Sequence, residues 1–251
     1  MGSEMCIRDS YRSFFNQKGN KYARMRKKRT VLCAIILAVS AFLTAACGPE
    51  AETQKEVQDY VDEEGKPDFE ALQEVNPDVY AWITITDTDI SFPVLQSATD
   101  TAWYLSHNLY GEEDDNGCIY TELYNHKDFN DPNTIIYGRN TDAMFGRLHQ
   151  FADRDFFDEH RQIQIYLPDR TLTYQIFAAY TYDNRHLIAI YDFWDETVFS
   201  QYLQDVFAIR EMDAFIDDSI EVTAQDKIIT LSTGVTGQSD KRYLVQAVLV
   251  S

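Results

Sequence analysis

The sequence predicts a mainly β fold, a closed barrel of about eight strands with N-terminal helices and one long inserted helix. The first observation is a series of short runs rich in β-branched and aromatic residues, several of them bounded by Gly, Pro, Asn or Asp. These runs are "AWITIT", "ISFPVLQ", "GCIYTE", "NTIIYG", "QIQIYLP", "LTYQIFAAYTY", "SIEVT", "KIITLST" and "RYLVQAVLV". The second is that so many short strands in one domain favour a closed or nearly closed barrel. The third is a 14% aromatic content, which is ample for a core that rests on packing.

The N-terminal part of the chain has a different charge and hydropathy from the rest. Residues 25–47 combine a basic cluster, Arg26–Arg29, with an apolar run and small residues before Cys47, which is the layout of an export signal or membrane anchor. The opening "MGSEMCIRDS" does not fit the start of such a signal. We therefore expect residues 1–24 to be a cloning or assembly remnant and leader that takes no part in the fold.

The ending "LTAAC" resembles a bacterial lipoprotein processing site, in which Cys47 would become the lipid-bearing first residue. Thr44 is a less usual residue at its place in such a site, so an uncleaved membrane anchor is the alternative. The apolar run is shorter than the roughly 20 residues of a typical span. Either form predicts a protein tethered at the extracellular face of the cytoplasmic membrane.

Charge excludes one class of partner. The chain has a net charge of -19, and beyond position 47 it holds 13 basic against 39 acidic residues. Such a surface repels phosphate backbones, so we expect no binding to DNA or RNA.

Residues 48–65 are polar and acidic and are predicted to form a linker. A domain then spans residues 66–251 and begins with a helix in which Phe69, Leu72 and Val75 have helical spacing before Pro77. Two later stretches also have helical spacing. The first places Met144, Leu148 and Phe151 on one face, and the second predicts a long helix with a face formed by Trp194, Val198, Tyr202, Val206 and Ile209.

The sequence predicts no metal site and no cofactor. Cys118 is the one cysteine of the predicted domain, so neither an internal disulfide nor a cysteine metal site can form there, and a buried apolar role is expected. The loop "EEDDNG" has the alternate spacing of a calcium loop, but Leu123 occupies the place of the closing Glu. A solvated turn is the better interpretation.

The stretch "KIITLSTGVTGQSDKRYLVQAVLV" raises the question of function. An apolar strand runs into Ser232 and Thr233 and is predicted to stop at Gly234, before a second strand that begins at Lys241. The end of a strand is a common place for a nucleophile, yet a glycine has no side chain with which to react.

The chain resembles the class B sortases, membrane-tethered cysteine transpeptidases of Gram-positive bacteria. The resemblance covers about residues 66–250. It is carried by "NPDVYAWITI", "ISFPVLQ", "WYLSHNLYG", "NTIIYGRN", "MFGRL", "ITLSTG" and "KRYLVQAVL", in this order. It implies a sortase-type barrel, a groove that includes Leu105, Ser232 and Thr233, and a sorting-signal peptide or peptidoglycan precursor as partner.

The resemblance also implies where the catalytic residues should be. In the family, a thiolate attacks the carbonyl of the sorting signal, a His manages the proton of the leaving group, and an Arg stabilises the oxyanion. Here Gly234 occupies the place of the Cys and Arg139 the place of the His, while Arg242 matches the Arg. A glycine cannot form a thioester, and a guanidinium does not exchange protons near neutrality.

The resulting prediction is a catalytically inactive sortase relative that still binds a sorting-signal peptide or a cell-wall fragment. An active transpeptidase is the first alternative, if residues 139 and 234 are errors in the recorded sequence. A structural lipoprotein that uses the barrel as an interaction surface is the second alternative.

Overall fold

The computed structural model describes residues 56–251, which lie within one compact unit of the chain. The predicted leader, the anchor segment and Cys47 lie outside these residues. Within the described part, no helix is both long enough and apolar enough to span a membrane.

Within residues 56–251, nine strands form the sheet. They are β1 (Val79–Ile85), β2 (Ser91–Leu95), β3 (Ile119–Thr121), β4 (Asn133–Tyr137), β5 (Gln162–Tyr166), β6 (Thr171–Asp183), β7 (Phe215–Ile216), β8 (Ile228–Val235) and β9 (Gln238–Leu249). Their order is β5-β1-β2-β3-β4-β8-β9-β6-β7, and β5 also pairs with β6. This additional pairing closes eight strands into a barrel and leaves β7 beside β6, which confirms the predicted fold class.

The barrel is mixed rather than purely antiparallel. β2 pairs with β3, and β4 with β8, in parallel, whereas every other pair of strands is antiparallel. The β4–β8 pair brings the two stretches "NTIIYG" and "ITLSTG" side by side, because Tyr137 is in register with Ser232.

The strands of this part of the barrel have two buried faces. On β8, Ile229 and Leu231 belong to the core inside the barrel, whereas Ile228 belongs to a second core outside it. Side chains alternate between the faces of a strand, so the following even-numbered positions, including Gly234, lie on the outer face.

The described part of the chain also has four α-helices, α1 (Phe69–Val75), α2 (Arg154–Glu159), α3 (Leu187–Ile190) and α4 (Glu196–Phe207), together with 3₁₀ helices at Val57–Tyr60, Trp103–Leu105 and Phe145–Ala152. Asp195 caps α4, its side chain accepting hydrogen bonds from the backbone N–H groups of Thr197 and Val198. The long inserted helix is therefore present between β6 and β7, but it is shorter than its sequence pattern suggested. Its buried face consists of Phe199, Tyr202, Leu203 and Val206.

Three local predictions were wrong. Trp194 lies before α4 and is 66% exposed, so it is no part of the helix's buried face. The run "SIEVT" is not a strand, and the short β7 precedes it. β8 does not stop at Gly234, because Val235 still pairs with Gln238 and only Thr236 and Gly237 form the turn.

The folded contacts also begin before residue 66. Tyr60 is buried against the barrel in a cluster with Leu72 and Trp82, and Val61 bridges to Pro67. The part of the expected linker from residue 56 onward is therefore anchored to the domain through Tyr60, although most of its residues are exposed.

Candidate functional site

A groove of ≈ 560 Å³ lies on the outer face of the barrel. Its wall includes all six residues that the sequence singled out for the site, which are Leu105, Arg139, Ser232, Thr233, Gly234 and Arg242. They come from four separate parts of the chain, which the barrel topology brings together.

Strand register explains why these residues meet. Gly234 on β8 pairs with Arg242 on β9, and Ser232 pairs with Tyr137 on the other side of β8. Arg139 follows Tyr137 by two positions, just beyond the end of β4, and both residues line the groove. The groove thus lies across the ends of β4, β8 and β9.

Gly234 leaves open space in the groove. A Cβ atom built on it would have only one heavy atom outside its neighbours within 4 Å, the Asn140 Cβ at 3.7 Å, which is an ordinary van der Waals contact. The first carbon of a side chain would therefore fit here without a shift of the backbone. Local packing therefore does not require a glycine at position 234.

The two arginines are held by backbone carbonyls. Arg139 donates from Nε to the carbonyl oxygen of Leu105 at 2.8 Å, and Arg242 donates from Nη1 to the carbonyl oxygen of Lys241, also at 2.8 Å. Both act on Tyr120 in the same groove. Burial raises the pKa of Tyr120 to about 12 and Glu122 acts in the same direction, while the positive charges of Arg139 and Arg242 oppose this rise.

Ser232 and Thr233 differ in their surroundings. Both are buried, but only Ser232 lies on the outer face of β8. Thr233 is 2% exposed, and among the described residues its Oγ1 has no hydrogen-bond partner. Neither hydroxyl hydrogen-bonds to a histidine in the part of the chain described, so neither is set up as a nucleophile with a base.

Two histidines that sequence reasoning did not assign lie at the site. His186 lines the groove, with its Nε2 2.6 Å from Glu122 Oε2, and the hydroxyl of Tyr137 donates to the same oxygen at 3.3 Å. His149 donates from Nε2 to the carbonyl oxygen of Gly234 at 2.9 Å. Both are far in sequence from the residues they contact, and no local motif marks either one.

The one thiol among the described residues is not part of the groove wall. Cys118 is 6% exposed and packs in the cluster that contains Trp82 and Tyr104, away from the groove wall. Burial raises its pKa to about 12, so almost none of it is thiolate near neutrality. Over residues 56–251, no group of three His, Cys, Asp or Glu side chains could hold a metal ion.

Among the described residues that line the groove there is no cysteine. The groove offers two cations, hydroxyls and an apolar rim residue, Leu105, which is 41% exposed. The two positions that the sequence predicted for a thiolate and an imidazole hold a hydrogen atom, at Gly234, and a guanidinium, at Arg139.

Comparison with known proteins identifies the fold and the family, although no family model matches the chain. The sequence is 33% identical over 195 residues to sortase B of Listeria monocytogenes, covering 76% of this chain and 77% of that protein. Sortase B of Staphylococcus aureus is 28% identical over 189 residues, covering 74% of this chain and 75% of that protein.

Solved structures agree with these relatives. Clostridium perfringens sortase B has a TM-score of 0.64 and 27% identity, covering 73% of this chain and all of that structure. A Staphylococcus aureus sortase B–substrate complex has a TM-score of 0.63 at 27% identity, covering 73% of this chain and 84% of that one. Because it shares 33% identity with the Listeria protein over 76% of its own length, the chain belongs to the class B sortase family.

Proposed function

We propose that this protein is a catalytically inactive class B sortase, a pseudosortase, which binds a sorting-signal peptide or a cell-wall fragment in the groove. The observation that carries the proposal is the pair of residues at the centre of the groove, Gly234 and Arg139. Loss of the nucleophile alone costs on the order of a millionfold in a well-studied hydrolase. Two losses in one groove, with the groove itself kept open, indicate binding without turnover.

The retained parts of the groove support a binding role. Arg242 and Leu105 remain at the wall, and a volume of ≈ 560 Å³ is within the range of ordinary ligand sites. Among the structural neighbours, one is a sortase B in complex with its substrate. A peptide in the corresponding place is therefore the first ligand to test.

Binding and turnover can be measured separately. A fluorescent sorting-signal peptide should bind with a measurable Kd, while no cleavage or transfer product should form with or without iodoacetamide. Turnover that iodoacetamide abolishes would contradict the proposal.

A matched pair of variants tests where the peptide binds. Leu105→Asp places a charge on the groove wall and should weaken binding at least about tenfold, the effect of about 1.4 kcal/mol. Val75→Asp makes the same change on α1 at a similar exposure, 36% against 41%, and should leave the Kd unchanged. Absence of peptide binding in the parent would favour a purely structural interaction protein instead.

The tether belongs to the same proposal. In a Gram-positive host, Cys47 should incorporate radiolabelled palmitate, and Cys47→Ala should abolish the label. A Cys47→Ala protein that stays equally membrane-bound, with no label in the parent, would indicate an uncleaved anchor.

A second candidate is an active transpeptidase whose natural residues at 139 and 234 are His and Cys. The open space at Gly234 is compatible with it, because a Cβ atom there would make only an ordinary van der Waals contact. Sequencing the two codons in the native gene decides between the candidates.

A further inference from the structure

The arginines of this acidic protein are mostly paired with aspartates. Of the eight arginines among the described residues, five form ion pairs with an Asp, namely Arg147, Arg154, Arg161, Arg170 and Arg185. The other three, Arg139, Arg210 and Arg242, have no carboxylate partner within the described part of the chain. Two of these three, Arg139 and Arg242, line the same groove.

The carboxylates near the groove do not neutralise these two cations. Glu122 is engaged with His186 and Tyr137, and Asp115 lines the groove without an ion pair to either arginine among the residues described. Two guanidiniums that face one cavity repel each other, and an anion between them would remove the repulsion.

Both side chains are fixed but keep free donors. Arg139 uses Nε on the carbonyl of Leu105, which leaves its two terminal nitrogens. Arg242 uses Nη1 on the backbone carbonyls of Lys241 and Ser239, which leaves Nε and Nη2. Within residues 56–251 these remaining nitrogens have no hydrogen-bond partner. Arg139 therefore offers its two terminal nitrogens as donors, and Arg242 offers Nε and Nη2.

The space for an anion is above Gly234. This residue pairs directly with Arg242, and a side chain at this position would meet only Asn140 Cβ, at 3.7 Å. Both Gly234 and Arg242 line the groove, so this space opens into the cavity that the guanidinium borders.

We infer that Arg139 and Arg242 form an anion site over Gly234 that takes a phosphoryl group. A phosphate monoester carries about −1.5 to −2 charges at pH 7 and three acceptor oxygens, enough to face two guanidiniums at once. A single carboxylate has one charge and saturates one planar fork. The inference rests on the proposed function only in requiring an open groove. It differs in the ligand, since a neutral peptide needs neither arginine as a counter-ion.

Isothermal titration of phenyl phosphate into the full-length protein tests the site, with sodium acetate titrated in parallel. Arg139→Gln and Arg242→Gln should each weaken phenyl phosphate binding about 10- to 100-fold, the range for loss of a hydrogen bond to a charged group. Arg210→Gln is the matched control, because it removes the same charge from an arginine that donates to the carbonyls of Phe207 and Ile209, outside the groove. It should bind like the parent.

Salt should weaken binding to the parent, as expected for partly exposed charges. Equal affinity in the parent and both groove variants, or no binding to the parent, would overturn the inference, and so would acetate binding as tightly as phenyl phosphate. Gly234→Leu adds an independent measurement, since it fills the space without changing the charge and should also abolish binding. Binding of an amidated sorting-signal peptide should be measured on the same proteins. Peptide binding without phenyl phosphate binding would contradict only the anion site, and the reverse result would contradict only the peptide proposal.

Discussion

Gly138 and Gly234 both line the groove, one directly after β4 and the other within β8, but their surroundings differ. A Cβ at Gly138 would lie 2.5 Å from Cδ1 of Ile119 and 2.6 Å from Cγ of Phe145, both in the core inside the barrel. A Cβ at Gly234 would meet nothing closer than 3.7 Å.

The difference separates a glycine that packing requires from one that it does not. At Gly138 any side chain must displace core atoms, so the residue belongs to the fold. At Gly234 the space for a side chain is present and unused. The contrast indicates that packing constrains the residue at position 138, which faces the core, whereas packing leaves room for a side chain at position 234 in the groove.

The largest effect should come from restoring both changed residues. Gly234→Cys with Arg139→His should give cleavage of a sorting-signal peptide at least about a thousandfold above the parent, because losing such a nucleophile costs on the order of a millionfold. Each single variant should remain near background, since a thiolate and its acid–base partner act as a unit. Product formation followed by mass spectrometry, with and without iodoacetamide, measures this.

An inactive double variant that is folded and binds the peptide would contradict the first prediction. It would show that the groove has changed beyond these two positions. In that case residues of the groove other than 139 and 234 would also prevent catalysis.

The comparison of the glycines is itself measurable as stability. Gly138→Ala should lower the free energy of unfolding by about 2–3 kcal/mol, the upper part of the range for overpacking a core. Gly234→Ala should change it by less than about 0.5 kcal/mol, as for a substitution without strain or lost contacts. Urea unfolding followed by far-UV circular dichroism gives both values, and equal losses would remove the distinction between the two faces.

A smaller effect concerns the dependence of stability on pH. It compares Tyr120 in the groove with Tyr202 on the buried face of α4. Burial raises the pKa of Tyr120 and of Tyr202 to about 12, above the ordinary value near 10. A raised folded-state pKa gives stability that is complete below the unfolded value and is lost as pH rises through the folded one. Stability should therefore fall between about pH 10 and 12.

The two tyrosines should respond differently to a change in the groove. Arg139→Gln removes a positive charge that opposes the rise at Tyr120, so the pKa of Tyr120 should rise further while that of Tyr202 stays unchanged. Absorbance at 295 nm, compared with the Tyr120→Phe and Tyr202→Phe proteins, resolves the two titrations. A shift of both would mean that Arg139 acts on the whole fold and not on the groove.

Much of the fold was predictable because its information is local. Periodic apolar runs marked eight of the nine described strands. The groove was predicted from the family resemblance of the stretches around Arg139, Gly234 and Arg242, and all three residues line it. The two-residue β7 is too short to produce a pattern, and "SIEVT" has strand composition without a partner strand. β8 continues past Gly234 because pairing with β9, a tertiary contact, overrides the turn signal of the sequence.

The unassigned histidines show the limit of sequence reasoning at the site. His149 meets Gly234 across 85 positions of sequence, and His186 meets Glu122 across 64. Each is an ordinary polar residue in its local stretch. Only the closed topology brings these histidines next to Gly234 and Glu122, so the local sequence could not reveal the contacts.

The pairing of β5 with β6 has a consequence for the behaviour of the protein in concentrated solution. Open sheets present long edges whose free N–H and C=O groups can recruit strands from other molecules, and natural proteins shorten or cover such edges. Here the strands that would have been edges satisfy each other over five register pairs, from Gln162 with Gln175 to Tyr166 with Thr171. Among the described strands, the outermost position falls to β7, which is two residues long. Edge-to-edge aggregation thus has little backbone on which to start, even when many copies are crowded together.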